Sequence, residues 1–92
     1  MIGVVHCECF IYEAGSLKEK RSVLQSLVTR LRQRLNVSVA EVDHQNVWQR
    51  TALSIVCVGS EKEPVERELQ RALSLIDGVY DLERTVTTYE WL

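Results

Sequence analysis

VSVAEVDHQNVWQRTALSIVCV, residues 37–58, is the stretch that decides the fold. Val37, Val39, Ala40 and Val42 make a short β-rich run, and Ala52 to Val58 makes a second, more continuously apolar one. The two read as a hairpin. Between them, Asp43 to Arg50 gathers carboxylate, imidazole, amide, indole and guanidinium groups, the densest set of recognition chemistry in the chain. The six residues from His44 to Gln49 exceed a two-residue hairpin turn and contain no glycine. The connection is therefore either an extended loop or a continuation of the strands into solvent.

On the N-terminal side, Leu17, Leu24, Leu27, Val28, Leu31 and Leu35 recur at spacings of three, four and seven, which lines one helical face. Ser16 followed by Glu19 is a capping box that opens this helix. Before it, residues 2–12 alternate, with Val5, Cys7, Cys9 and Ile11 apolar against His6 and Glu8, and predict a strand with one buried face. On the C-terminal side, Gly59-Ser60 ends the third strand. Ser60 with Glu63 reads as a second capping box, with Pro64 in the first turn. Val65, Leu69, Ala72, Leu73 and Ile76 then mark a second amphipathic helix, stopped by Gly78, and residues 79–92 are rich enough in β-branched and aromatic side chains for a last strand.

The order βαββαβ implies an α+β fold of the ferredoxin-like kind: a four-stranded antiparallel sheet with two helices on one face, in a single domain over 1–92. The other sheet face is left open, and His6, Glu8, Glu41 or Asp43 are the residues expected to line it. A chain of 92 residues buries only about 60 to 65% of its unfolded surface, which makes a partner subunit plausible. The hydroxyl- and aromatic-rich last strand points the same way, and a homodimer is the expectation.

The chain starts directly with the strand-like Ile2-Gly3-Val4-Val5, and no run approaches the ~20 apolar residues that span a bilayer. A cytoplasmic protein with no membrane partner is expected. Cys7, Cys9 and Cys57 are odd in number and set in apolar surroundings, against a secreted disulfide framework. Cys7 and Cys9 share a strand face, but a zinc site needs about four ligands and His6 points the other way. They read as small buried hydrophobes, with no metal and no cofactor expected.

Charge is distributed more tellingly than the net of −2 suggests. Residues 16–35 carry Lys18, Lys20, Arg21, Arg30, Arg32 and Arg34 against the single acid Glu19, whereas residues 61–84 carry seven acids and four bases. On a helical wheel Lys18, Arg21 and Arg32 flank one side of the leucine stripe and Arg30 and Arg34 the other. Such edges serve either as solvated snorkelling cations or as contacts for nucleic acid or an acidic partner. There is no DNA sequence-reading motif, and Phe10 and Tyr12 alone do not make the aromatic sheet of a standard RNA reader. For catalysis, His6 beside Cys7 cannot act as a base–nucleophile pair, because neighbours on a strand face opposite ways. The element order is shared with acylphosphatases, yet Glu13-Ala14-Gly15-Ser16 is too acidic and glycine-poor to cradle an anion. No catalytic residue is expected.

Three blocks in fixed order, Ser16-Leu17-Lys18-Glu19-Lys20-Arg21, Asn36-Val37-Ser38-Val39-Ala40-Glu41-Val42-Asp43 and Trp48-Gln49-Arg50, closely resemble the YlxP-like family of small bacterial proteins. The resemblance spans nearly the whole chain and implies the same ferredoxin-like fold. It implies no established activity and hands over no catalytic residue. Genes of the family often lie near those for transcription-termination, translation-initiation and ribosome-maturation factors, which implies an accessory role near RNA or ribosomes. The first expectation is thus a non-enzymatic interaction protein contacting RNA or a ribosomal protein through Lys18, Lys20, Arg21, Asp43, Trp48, Gln49 and Arg50. Trp48 either packs on its own domain or anchors a partner, and either Asp43 and Arg50 pair across the hairpin or Gln49 and Arg50 point outward. His44 reads as a solvated loop histidine. The alternative expectation is a ligand-binding or catalytic site on the open sheet face, built from His6, Glu8, Asp43 and Arg50.

Overall fold

A computed structural model describes residues 1–92 and gives the order β1 (Ile2–Ile11), α1 (Leu17–Arg34), β2 (Val37–Asp43), β3 (Arg50–Val58), α2 (Lys62–Asp77) and β4 (Leu82–Trp91). The strands form one antiparallel sheet in the order β2-β3-β1-β4. This is the ferredoxin-like α+β arrangement that the periodicity predicts. Period-2 alternation sends Val5, Cys7, Cys9 and Ile11 of β1, with Leu53, Ile55 and Cys57 of β3, into one core with Leu24, Leu27 and Leu31 of α1 and Val65, Leu69, Leu73 and Ile76 of α2. No helix is long and apolar enough to cross a membrane.

The helix starts differ in chemistry. At α1 the capping box forms: Glu19 N–H donates to Ser16 Oγ at 3.1 Å, and Gly15 N–H donates to Glu19 Oε2 at 2.8 Å. At α2 the expected box of Ser60 and Glu63 does not form, because Glu61 is the N-cap and makes no side-chain cap bond. The helix starts one residue later than the box requires, and with Glu61 as N-cap Pro64 takes the third helical position and offers no N–H to a capping side chain. The last strand also starts later than expected, at Leu82. Residues 79–81 turn instead, with Val79 N–H bonded to Ile76 O and Leu82 N–H to Val79 O.

Gly3 fixes how closely α2 approaches the sheet. A Cβ at this position would lie 2.8 Å from Trp91 Cζ3, 2.8 Å from Val65 Cγ1 and 3.0 Å from Leu69 Cδ1. All three cysteines are buried free thiols. The hydrogen bond with Cys7, together with burial, pushes the Cys9 thiol far up, so it stays protonated inside the core.

Candidate functional site

The loop from His44 to Gln49 is a true loop, with turns at 45–46 and 48–49 and no continuation of the strands. Its first residue organises it. His44 has φ 61°, a left-handed conformation that β-branched residues avoid and that His tolerates better than most. Four bonds hold it there. Its N–H donates to Asp43 Oδ1 at 2.7 Å, and its carbonyl accepts from Val47 N–H at 3.0 Å and from Lys20 Nζ. Its Nε2 lies 2.9 Å from Glu8 Oε1 on β1. The same carboxylate oxygen accepts from Arg50 Nη2 at 3.1 Å, so Glu8 is shared by an imidazole and a guanidinium.

Lys20 reaches this loop from within the core, where it is 1% exposed. Its Nζ is 3.0 Å from Glu41 Oε2, and that oxygen also accepts from Thr51 Oγ1 at 2.6 Å. Thr51 is buried too. A buried ammonium, a carboxylate and a hydroxyl thus satisfy one another, and the spare donor clamps the backbone at His44. The first turns of α1 and the β2–β3 loop are one mechanical unit.

This geometry redistributes the residues singled out above. Lys20 leaves the surface set entirely, because its side chain lies in the core against Glu41. Glu41 leaves the open face for the same reason. Asp43 and Arg50 do not pair: Asp43 caps His44 N–H, and Arg50 turns to Glu8. Lys18, Arg21, Gln49 and Arg50 are exposed, and Gln49 is tied only through its carbonyl, which accepts Ile11 N–H at 2.9 Å. Trp48 is 51% exposed beside the exposed Val47, so the indole is not packed away. His44, read as merely solvated, is the hub. The signal for Lys20 was present, since it falls three residues after Leu17 and four before Leu24 within the leucine stripe, where a lysine must find a carboxylate.

The helix surface beside the loop is strongly cationic. Arg50, Arg67, Arg71, Arg84 and Lys20 each pair with a carboxylate, and Lys62 sits 5.0 Å over the Trp91 ring. The cations without a carboxylate partner are Lys18, Arg21, Arg30, Arg32 and Arg34, all on α1. Arg32 donates to Val39 O at 2.8 Å, and Arg30 Nε is a buried donor without a partner. Between these edges run exposed Ser22, Ser26, Thr29 and Gln33, all hydrogen-bonding groups without negative charge.

The open sheet face carries His6, bonded to Ser54 Oγ at 2.7 Å and 3.3 Å from Glu90 Oε2. Glu8 and Arg50 pair while His6 lies further along β1, and the main surface clefts are lined by helix residues with the end of β3, by β4 with Asp77, and by the Ile11–Ala14 segment. None of these main clefts takes in His6, Glu8 or Arg50, so the alternative site lacks the large enclosure that a drug-sized ligand needs. Phe10 and Tyr12 lie with ring centroids 4.9 Å apart and pack on each other.

A family model described as "Protein of unknown function (DUF503)" matches residues 2–89. The chain belongs to this family. A DUF503 relative, "Uncharacterized protein YlxP" of Bacillus subtilis, is 50% identical over 91 residues, covering 99% of each chain. The designed protein Foldit4 covers 100% of this chain, and this chain covers 99% of it, with a TM-score of 0.57 and 16% identity, which shows the fold alone.

Two carboxylates away from the loop carry a pH dependence. Paired hydrogen bonds from Arg84, at 2.8 Å each, hold Asp77 below its ordinary 3.8, and the Asn36 backbone N–H with Arg71 holds Glu68 below 4.5. A depressed carboxylate stabilises the fold above its unfolded pKa and loses that contribution as pH falls through the folded value. Thermal midpoints are therefore expected to drop between about pH 5 and about pH 3, with Asp77→Asn flattening part of the drop. Identical pH profiles for the variant and the parent would refute the Arg84–Asp77 contribution.

Proposed function

We propose that this DUF503 protein is an RNA-binding accessory protein that grips the phosphate backbone with α1 and stacks a base on Trp48. The observation that carries this reading is the sorting of the charges: every base lacking both a carboxylate and an aromatic partner lies on α1. Unpaired cations flanking neutral hydroxyl and amide groups suit phosphates, sugars and base edges together. The Lys20–His44 bond adds the aromatic element, because it fixes the loop bearing Trp48 against the start of the same helix. Exposed indoles stack on bases with little sequence preference. Glu19, the single acid on α1, is held at the helix start by the Gly15 N–H, and the rest of the helix carries cations alone.

The test is anisotropy of a labelled single-stranded RNA of about 12 nucleotides, at two salt concentrations. With four phosphate contacts, affinity falls about 50-fold between 50 and 200 mM salt. Combined Lys18→Ala and Arg21→Ala substitutions lower both the affinity and the salt slope, whereas Trp48→Ala lowers affinity roughly 5- to 100-fold with the slope unchanged. Absence of binding at the lower salt, or binding insensitive to salt, would sink the reading. So would capture of an acidic protein, without RNA, that depends on the same residues.

A further inference from the structure

The sheet face turned away from the two helices carries no helix of its own chain. Ala40, Ala52, Ser54 and Thr88 give its middle small side chains, while exposed Ile2, Val42, Val58 and Val86 stand around them, with Val58 58% exposed. Val4 and Val56 fill the space between. Small centres with branched aliphatics allow two sheets to pack face to face at ~10 Å. The His6–Glu90 and Arg50–Glu8 pairs are made within the chain, so covering the face strands no lone charge.

We propose that a second copy of this chain covers this face, giving a two-fold dimer of sheet on sheet whose axis runs along the strands between β1 and β3. Four strands at ~4.8 Å spacing and about nine residues at ~3.4 Å rise make a face of roughly 600 Å² per copy. Roughly 1,200 Å² covered in total reaches the lower bound of stable interfaces. A face this size matches a copy of itself.

Register chooses the axis. The face is graded along its strands, from the aliphatic rows Val58–Ile2 and Val56–Val4, through Ser54–His6, to Ala52–Glu8 and Arg50–Phe10. An axis along the strands lays β3 on the partner's β1 and keeps the grading aligned. Val58 then meets the partner's Ile2, Val56 the partner's Val4, and Arg50 the partner's Phe10, with the partner's Glu8 next to it. Aliphatics meet aliphatics, and each guanidinium lies against an aromatic ring and a carboxylate. An axis across the strands would reverse the grading about the Ser54–His6 row and press Arg50 onto the partner's Val58 and Glu8 onto the partner's Val4, desolvating charge against hydrocarbon. Both copies of α1 stay on the outside of the four-layer particle, so the dimer leaves the cationic helices free.

Sedimentation velocity of the full chain at about 50 µM reads the result, with a dimer expected at twice the 10.6 kDa chain mass. Val58→Asp and, separately, Val42→Asp are each expected to raise the dissociation constant about 100-fold or more and give the monomer. Circular dichroism confirms that each variant is folded, and exposure at both positions makes folding the expectation. A monomeric parent overturns the proposal. A dimer that survives both substitutions overturns it too, and assigns association to another surface such as the exposed β4 edge.

Discussion

Replacing Lys20 by alanine is expected to cost about 3 to 5 kcal/mol of folding stability, more than any other single surface-loop or helix-charge change in the chain. Glu41 would lose its cation while still held among groups that are mostly out of water, being 23% exposed at its side chain. The His44 carbonyl would lose the ammonium donor that helps hold the left-handed turn. The consequence is specific: the loop carrying Trp48 loosens before the sheet does. Urea unfolding gives the magnitude, and hydrogen exchange at residues 44–49 gives the location. A Lys20→Met, Glu41→Met pair is expected to recover much of the loss, because removing both charges avoids leaving either one alone. Recovery stays incomplete, since the Thr51 hydroxyl then lacks its acceptor. A Lys20→Ala chain within about 1 kcal/mol of the parent would show that the buried pair does not hold the loop.

Gly3→Val is expected to destabilise by about 3 kcal/mol through overpacking. A Cβ already falls 2.8 Å from both Trp91 Cζ3 and Val65 Cγ1, and valine adds two methyls on top of it. Neither neighbour can step aside cheaply, for Val65 is buried in α2 and the Trp91 ring carries Lys62 on its face. The displacement would push α2 off β1, so α2 and the end of β4 should lose protection together while α1 does not. Gly3→Ala should show the same pattern at lower cost. Equal stability of the valine variant and the parent would mean that α2 is free to shift, against the close approach described.

How far the sequence reached is clearest at individual residues. The two helices and four strands follow from apolar periods of 3.6 and 2, because only one face of each element can be buried in a two-layer fold of this size. The Ser16 cap was legible since both partners lie three residues apart. The Ser60 cap misled for an equally local reason: the pattern matched, but the helix takes Glu61 as its N-cap, one residue past the serine. Membership of the DUF503 family was legible from the three sequence blocks and is borne out by the match over residues 2–89.

The site divides differently. The chemistry of Asp43 to Arg50, the length of its loop and the cationic bias of α1 were fixed by composition and spacing. Which groups meet was decided only by the tertiary structure, because Lys20–Glu41, His44–Glu8 and Arg50–Glu8 join residues 21 to 42 positions apart on different elements. Local sequence sets a side chain's face, but the identity of its partner depends on how strands register and helices cross. The chain alone therefore determined the fold and the family. Packing decided that Lys20 is an internal clamp, that Trp48 is left at the surface, and that both helices lie on one side of the sheet.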